Sequence, residues 1–189
     1  GYRFSDRIVF NSEIEFEHAS TERGGAVNVE FAYLDFKIFD TLSVRVGNIL
    51  IPVGFVNEIH EPPFFFGVSR PLLERNLIPA TWNENGLGVY GEYKGLRYRA
   101  YLVNGMRAVG EDAFSSSSWI RGGRQAGAEA IAENVAGVAA LDYAFEGLRV
   151  GASAYAGRSG QGAVVDGSVV KGDLFLGEAH VAYQYKGLW

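Results

Sequence analysis

Hydrophobic and polar residues alternate along eight separate segments of this chain. In the first segment, the apolar residues Ile8, Phe10, Ile14 and Phe16 are even-numbered, and the polar residues Asn11, Glu13, Glu15 and Glu17 are odd-numbered. A period of two indicates a β-strand, whose successive side chains point to opposite faces of a sheet. We therefore predict strands at Arg7–His18, Val27–Phe39, Leu42–Ile49, Gly86–Tyr93, Leu96–Asn104, Asn134–Phe145, Leu148–Ala156 and Asp173–Tyr185.

The second of these segments changes phase along its length. Its apolar residues are odd-numbered at Val27, Val29 and Phe31, and even-numbered from Leu34 onwards. An extra residue in one strand of an antiparallel pair produces such a slip. The pattern predicts a β-bulge near Tyr33.

The connections between the segments alternate between short and long. Asp40–Thr41, Lys94–Gly95 and Glu146–Gly147 are tight turns, whereas the connections at Ser20–Ala26, Pro52–Asn85, Met106–Glu133 and Arg158–Gly172 are long. Short turns at one end and long loops at the other are typical of transmembrane β-barrels. Aromatic residues also flank the turns, as an interfacial girdle would, at Phe39, Tyr93, Phe145 and Tyr185. The prediction is one all-β domain over 1–189, an antiparallel transmembrane β-barrel to which this chain contributes about eight strands.

The segment Pro52–Asn85 contains all five prolines of the chain, so it does not read as a strand. It is also too apolar to stay disordered, and it must pack on another surface. The inner wall of a wide barrel offers that surface, so we predict a constriction loop over 52–85. An eight-stranded barrel is too narrow to hold it. We therefore expect the chain to be a fragment of a larger barrel, as a third turn cut short at Tyr185–Trp189 also suggests.

The composition of the chain limits the kinds of functional site that it can form. The 189 residues carry a formal net charge of −5 and include no cysteine. This excludes thiolate metal sites and disulfides, and it provides no basic footprint for nucleic acid. We find no nucleophile with a base at a recognisable spacing, and Glu58–Glu61 does not have the spacing of a helical metal motif. No catalytic residue, metal or cofactor is predicted.

Two stretches, Val44–Tyr93 and Gly122–Tyr143, resemble the phosphate-selective porin O/P family. The resemblance implies a 16-stranded, water-filled barrel, a homotrimer in the bacterial outer membrane, of which this chain would be half. Its implied partners are outer-membrane lipids, lipopolysaccharide and small anions or other small solutes in transit. Phosphate itself is not implied, because the lysines are only Lys37, Lys94, Lys171 and Lys186, and the last three lie at loops or turns.

Charged residues on the polar side of the strands are candidates for lining the pore: Arg45, Arg97, Arg99, Arg149, Asp35, Glu13 and Glu15. Aligned guanidinium groups would attract anions. Alternatively, the arginines pair with Asp35, Glu92 and Glu178 on neighbouring strands, or face the acidic strand across a transverse field. In the loop, the candidates for the narrowest point are Glu58, His60, Glu61, Arg70, Glu74 and Arg75. Pairing within the loop, such as Glu58 or Glu61 with Arg70, is the alternative.

These observations favour a porin for passive diffusion, with a bias toward anions. Two rivals remain open at this stage. An outer-membrane enzyme barrel would need a catalytic set near the external rim, where only His18 and Glu17 lie close together. A barrel that encloses a partner protein could dock it through the apolar Phe64–Phe66.

Overall fold

The structure is a computed structural model that describes residues 1–17, 25–59, 67, 69–79, 81–184 and 186. Its strands are β1 (Tyr2–Arg3), β2 (Ile8–Glu17), β3 (Ala26–Phe39), β4 (Leu42–Leu50), β5 (Asn83–Tyr93), β6 (Leu96–Asn104), β7 (Val135–Phe145), β8 (Leu148–Arg158), β9 (Val164–Val165), β10 (Ser168–Val169) and β11 (Asp173–Tyr183). One α-helical turn, α1 (Leu73–Asn76), and 3-10 helices at Asn57–Ile59 and Ile120–Gly123 lie in the long connections. None of the helices described here has the length and hydropathy needed to cross a membrane.

Within the described part of the chain, nine strands form one antiparallel sheet in the order β1-β2-β3-β4-β5-β6-β7-β8-β11. The strands β9 and β10 form a separate small hairpin. Each main strand pairs with its predecessor, and the two edges, β1 and β11, do not pair with each other among these residues. The sheet is therefore open. The predicted all-β antiparallel class is confirmed.

All eight predicted strands are present, and their ends agree with the prediction to within three residues. The strands that the sequence did not predict are β1, β9 and β10, each of two residues. Two residues are too few to show an alternation. The short and long connections also lie at opposite ends of the sheet, as predicted.

The predicted bulge exists, but it lies at Glu30 rather than at Tyr33. The register of β2 against β3 passes from Glu13 opposite Phe31 to Ile14 opposite Val29, and so skips Glu30. Phe31 stacks on Tyr33, with 5.3 Å between the ring centroids. The assignment of Phe31 to the face of Val29 was therefore wrong, because the extra residue precedes Phe31 and moves its side chain to the opposite face.

The turns between β5 and β6 and between β7 and β8 share one backbone geometry. Lys94 and Gly95 have φ of 49° and 84°, and Glu146 and Gly147 have φ of 44° and 84°. Positive φ at both central residues is the mark of a type I′ turn, whose twist matches that of the flanking strands. The repeated aromatic-charged-Gly-Leu sequence thus forms tight hairpins.

Gly95→Ala is expected to lower the free energy of unfolding by about 1–2 kcal/mol, because an L-residue is strained at positive φ. A Cβ atom at this position would also meet the carbonyl oxygen of Ala144 at 2.6 Å. Gly137→Ala is the matched control, since a Cβ there meets nothing within 4 Å. Chemical denaturation should find the control within about 0.5 kcal/mol of the wild type. Equal effects of both substitutions would contradict the turn geometry.

The two faces of the sheet differ in chemistry. One face, here called the bare face, carries large apolar side chains that are 37% to 74% exposed: Leu87, Val89, Leu102, Leu141, Val150, Phe175 and Val181. The opposite face, here called the covered face, carries buried Tyr101, Val103, Val138 and Tyr155 together with most of the strand charges.

The hydrophobic core lies on the covered face, between the sheet and the connection from β4 to β5. Ile51, Val53, Ile78 and Trp82 of that connection pack in one buried cluster with the apolar residues of β6, β7 and β8. The rings of Trp82 and Tyr155 are 4.9 Å apart. The 32 residues of 51–82 are thus anchored on the sheet by the part of them that the structure describes. We call this segment, 51–82, the inner loop.

Candidate functional site

The candidate wall charges share the covered face. Directly opposed residues of an antiparallel pair point to the same side of a sheet, and the register places Asp35 opposite Arg45, Arg97 opposite Asp142 and Glu13 opposite Phe31. By the same alternation, this face also carries the other predicted strand charges: Arg99, Arg149 and Glu15. The alternation in the sequence therefore places these charged side chains on one face of the sheet.

Asp142, near the middle of β7, is the centre of a charged layer on this face. Its Oδ2 accepts a hydrogen bond from Nη2 of Arg99, and its Oδ1 accepts one from Nε of Arg149 at 2.9 Å. The same Oδ1 lies 3.1 Å from Nε2 of His180. Both members of the Arg99–Asp142 pair are more than nine-tenths buried. One carboxylate therefore holds three basic side chains from three strands.

Glu178 completes the layer on the side of β11. Its Oε1 lies 2.9 Å from Nδ1 of His180, and its Oε2 accepts a hydrogen bond from the Ser153 hydroxyl at 2.9 Å. Glu178 had been considered as a partner for the wall arginines. The structure instead pairs Arg149 with Asp142.

Arg45 is fixed by a separate set of contacts. Its Nε and Nη2 donate to the two carboxylate oxygens of Asp35 at 2.8 and 2.9 Å. Its guanidinium carbon lies 3.8 Å from the Tyr33 ring centroid and 4.5 Å from that of Tyr90. Such a bidentate pair between aromatic rings holds an arginine in one orientation.

Of the three arrangements considered for the wall arginines, the geometry favours pairing. Arg45, Arg99 and Arg149 each contact a carboxylate at hydrogen-bond distance. Arg97 is the loose member, 3.8 Å from Glu92 with both side chains more than half exposed. Three of the four arginines are therefore held by acids on the sheet itself.

The neck of the inner loop is closed by Asn57. Its Nδ2 donates to the carbonyl oxygens of Ile51 at 2.8 Å and Trp82 at 2.9 Å, and its Oδ1 accepts from the Trp82 N–H at 2.8 Å. Ile51 N–H also donates to the Trp82 carbonyl at 2.8 Å. The two ends of the loop are thus joined by four hydrogen bonds around one buried amide.

Asn57→Ala is expected to destabilise the inner loop by about 1–3 kcal/mol, because buried backbone groups lose their partner. Limited proteolysis should then cleave 51–82 faster than in the wild type. Asn28→Ala, at an exposed position of β3, is the control and should leave cleavage unchanged. If the Asn57 variant resists protease as the wild type does, the neck does not depend on this amide.

The inner loop touches the charged layer at several points. Glu58 Oε2 lies 2.9 Å from Nη1 of Arg99. The Phe55 ring is 4.9 Å from the His180 ring and 5.2 Å from the guanidinium carbon of Arg149. The loop therefore adds a third carboxylate and an aromatic ring to the layer.

The loop residues singled out from the sequence have different roles in the structure. Glu58 contacts Arg99 rather than Arg70, the partner considered for it as an alternative. Arg70 donates to the Thr81 hydroxyl at 3.3 Å. Arg75 is exposed. His60 and Glu61 lie outside the described residues.

Glu74 is buried inside the loop. Its carboxylate accepts the N–H groups of Phe55 and Val56 at 2.6 and 2.7 Å. Burial raises the pKa of Glu74, and those two N–H donors oppose the rise. Removal from water likewise raises the pKa of Glu58, against the effect of Arg99. Glu74 thus depends on partners within the loop, and Glu58 depends on a partner on the sheet.

A second polar cluster joins the long connections, at the end of the sheet opposite the tight turns. Glu84 is fully buried and accepts hydrogen bonds from Trp82 Nε1, Asn104 Nδ2 and the Gln125 N–H, at 3.1, 2.5 and 3.0 Å. Gln161 donates to the carbonyl oxygen of Gly105 at 2.9 Å. Sequence reasoning did not find this cluster, because its members come from connections far apart along the chain.

The described residues contain no group of three or more His, Cys, Asp or Glu side chains that could hold a metal ion. The Ser153 hydroxyl donates to Glu178, and both His180 ring nitrogens face carboxylates.

The fold and site together define an antiparallel sheet with one bare apolar face and one charged face covered by the chain itself. The chain is similar to an uncharacterized protein of Aquifex aeolicus (strain VF5), with 44% identity over 191 residues, covering 99% of this chain and 43% of that protein. It thus spans less than half the length of this relative. No protein-family model matches the chain. No solved structure matches it either.

Proposed function

We propose that this chain forms part of the wall of an outer-membrane porin, a β-barrel channel for passive diffusion of small solutes and ions. The observation that carries the proposal is the inverted arrangement of the sheet. Large apolar side chains such as Leu102, Leu141 and Phe175 are exposed, at 59%, 54% and 74%, on the bare face. The buried ion pairs lie on the opposite face.

The exposure of the apolar face is informative because it is the reverse of what is expected for a sheet in water. A sheet in water buries its apolar face and exposes its charged one, because removing apolar surface from water is favourable. Contiguous exposed apolar surface beyond a few hundred Å² marks a protein or membrane contact. In a membrane barrel, lipid covers the apolar face and the polar face looks inward.

Strand length and aromatic placement agree with a membrane location. The main strands from β2 onward have 9 to 14 residues, and a tilted membrane-spanning strand needs about 9–11. Exposed aromatic side chains lie at the turn end of the sheet: Phe39, Tyr93, Phe145 and Tyr183. Such rings suit the boundary between lipid and water. The predicted Tyr185 lies outside the described residues.

In the proposed channel, the inner loop narrows the bore and the charged layer biases which ions pass. The sheet is open, so the proposal requires further strands to close the barrel. A chain of the length of the relative has room for them, since the matched region is 43% of that protein. The homotrimer, the lipid partners and the anion bias stay predictions. Because the chain's own loop occupies the covered face, we place no enclosed partner protein there.

Planar-bilayer recording on the purified full-length protein tests the proposal. Discrete ion-conducting steps are expected after insertion into a phospholipid bilayer. The control is the same protein, heat-denatured, in the same detergent. Failure of the native protein to give conductance above that control, at protein levels that insert into vesicles, would overturn the porin assignment.

A further inference from the structure

A trough of small side chains lies on the bare face of the sheet. Its floor consists of glycines and alanines that the register places opposite one another in β7 and β8: Gly137, Ala139, Ala154 and Ala156. Leu102 of β6 borders the trough on one side and Phe175 of β11 on the other, and these side chains are 59% and 74% exposed. A Cβ atom at Gly137 would meet nothing within 4 Å, so the floor is open. The trough has a volume of about 490 Å³.

A second depression continues the trough toward the loop end of the sheet. It has a volume of about 660 Å³, and Ala156 lines both depressions. Val135 and Phe175 give it apolar walls, and the charged side chains that line it among the described residues are Glu133, Arg158 and Asp173. We call the two depressions together the groove. It has an apolar body toward the middle of the sheet and a charged end at the loops.

The charged end is built on one strand pair. Arg158 and Asp173 lie directly opposite each other in β8 and β11, so both side chains point to the bare face, and Nε of Arg158 lies 3.3 Å from Oδ1 of Asp173. The two side chains are 61% and 77% exposed. A guanidinium has five N–H donors and a carboxylate accepts on both oxygens, whereas this contact uses one of each. A ligand can therefore contact both groups without separating them.

The length of the groove matches one leaflet of a membrane. On the bare side of β8, Arg158 at the charged end is followed by three alanines, Ala156, Ala154 and Ala152. At about 3.3 Å per residue, the distance from Arg158 to Ala152 is about 20 Å. A strand tilted by about 45° then covers about 14 Å of depth, close to half of a hydrocarbon core about 30 Å thick. The apolar body thus has the length of a lipid acyl chain.

The signs of the charges select among lipid headgroups. With Glu133, the charged end carries two carboxylates and one guanidinium. Guanidinium groups bind phosphate, and carboxylates bind ammonium, through charge-assisted hydrogen bonds. A headgroup that carries both phosphate and ammonium therefore satisfies all three side chains. A headgroup with phosphate alone would place a further negative charge beside the two carboxylates.

We propose that the groove is a binding site for a zwitterionic phospholipid. An acyl chain lies along the small residues, the phosphate contacts Arg158, and the ammonium group contacts Asp173 and Glu133. This inference rests on the membrane location that the proposed function requires. It goes further because it assigns one place on the bare face to one class of lipid.

The test uses the full-length protein in vesicles that contain equal amounts of phosphatidylethanolamine, which is zwitterionic, and phosphatidylglycerol, which is anionic. After extraction into a mild detergent, native mass spectrometry counts the lipids that stay bound. The wild type should retain phosphatidylethanolamine over phosphatidylglycerol by about fivefold, the effect of one surface charge contact at its strongest.

Two variants address the two parts of the groove. Gly137→Leu fills the trough and should abolish retention of both lipids. Its control is Val181→Leu, which adds apolar volume on the same face near the turn end, at a side chain that is 70% exposed. Arg158→Gln should lower retention of phosphatidylethanolamine by about fivefold. Arg97→Gln removes an arginine of similar exposure from the covered face. Both controls should retain lipid as the wild type does.

Equal retention of the two lipids, or a Gly137→Leu variant that binds them as the wild type does, overturns the inference. Displacement of the bound lipid by added lipopolysaccharide also overturns it, because the groove would then belong to that glycolipid. A protein that conducts ions in planar bilayers but retains no lipid overturns the inference and leaves the porin function standing. Selective retention without conductance overturns the porin function alone.

Discussion

Leu141→Arg is expected to weaken folding into phospholipid vesicles by about 2–4 kcal/mol, the cost of an arginine at the middle of a lipid-facing strand. Leu141 lies near the middle of β7 on the bare face and is 54% exposed. On a water-exposed surface the same change would cost within about 0.5 kcal/mol. Denaturation by urea in vesicles of fixed composition measures the difference.

Val135→Arg is the matched control for that experiment. Val135 lies on the same strand and the same face, is 60% exposed, and begins β7 at the loop end. Near the membrane boundary an arginine costs only about 0–1 kcal/mol. The difference between the two positions is the decisive quantity. Equal costs at both would mean that the bare face does not lie at graded depth in lipid.

Asp142→Asn is expected to destabilise the protein by about 3–5 kcal/mol, because breaking a buried ion pair leaves charges without compensation. The carboxylate of Asp142 holds Arg99 and Arg149 and faces His180. The remaining cations would also shift the reversal potential of the proposed channel toward anion preference. Chemical denaturation gives the stability, and bilayer recording gives the selectivity.

Glu92→Gln is the control, because it removes a carboxylate of the same face with an exposed partner. Glu92 lies 3.8 Å from Arg97, and the two side chains are 61% and 54% exposed. Surface pairs of this kind contribute about 0–1 kcal/mol. Similar losses in both variants would show that the charged layer is no more tightly coupled than a surface pair.

The strands and turns were predictable because their signals are local. A period of two is written into each strand, and Lys94-Gly95 and Glu146-Gly147 specify turns through positive φ. The predicted position of the bulge was wrong because a phase slip in a sequence locates the extra residue only to a range of positions. Within that range, either Glu30 or Tyr33 can be the extra residue. Only the pairing with β2 decides between them.

The sequence predicted which face of the sheet carries the charged residues of the candidate site. It did not predict which of these residues contact each other. Alternation placed Arg99 and Arg149 on the polar side, yet Asp142 lies in a weakly patterned strand among alanines and was overlooked. The contact between Asp142 and His180 spans 38 residues of sequence. Such contacts depend on strand register and on the path of the inner loop, and neither is encoded at a fixed spacing.

The position of the core has a consequence for the order of assembly. Trp82, Ile51 and Val53 pack against β6, β7 and β8 on the covered face, which would be the interior of the proposed barrel. A closed barrel would leave no lateral route for so bulky a segment to enter. In the proposed barrel, we expect the inner loop to dock while the sheet still has free edges, with closure as a later step. A variant with a weakened Asn57 neck would then be expected to accumulate as an unclosed intermediate.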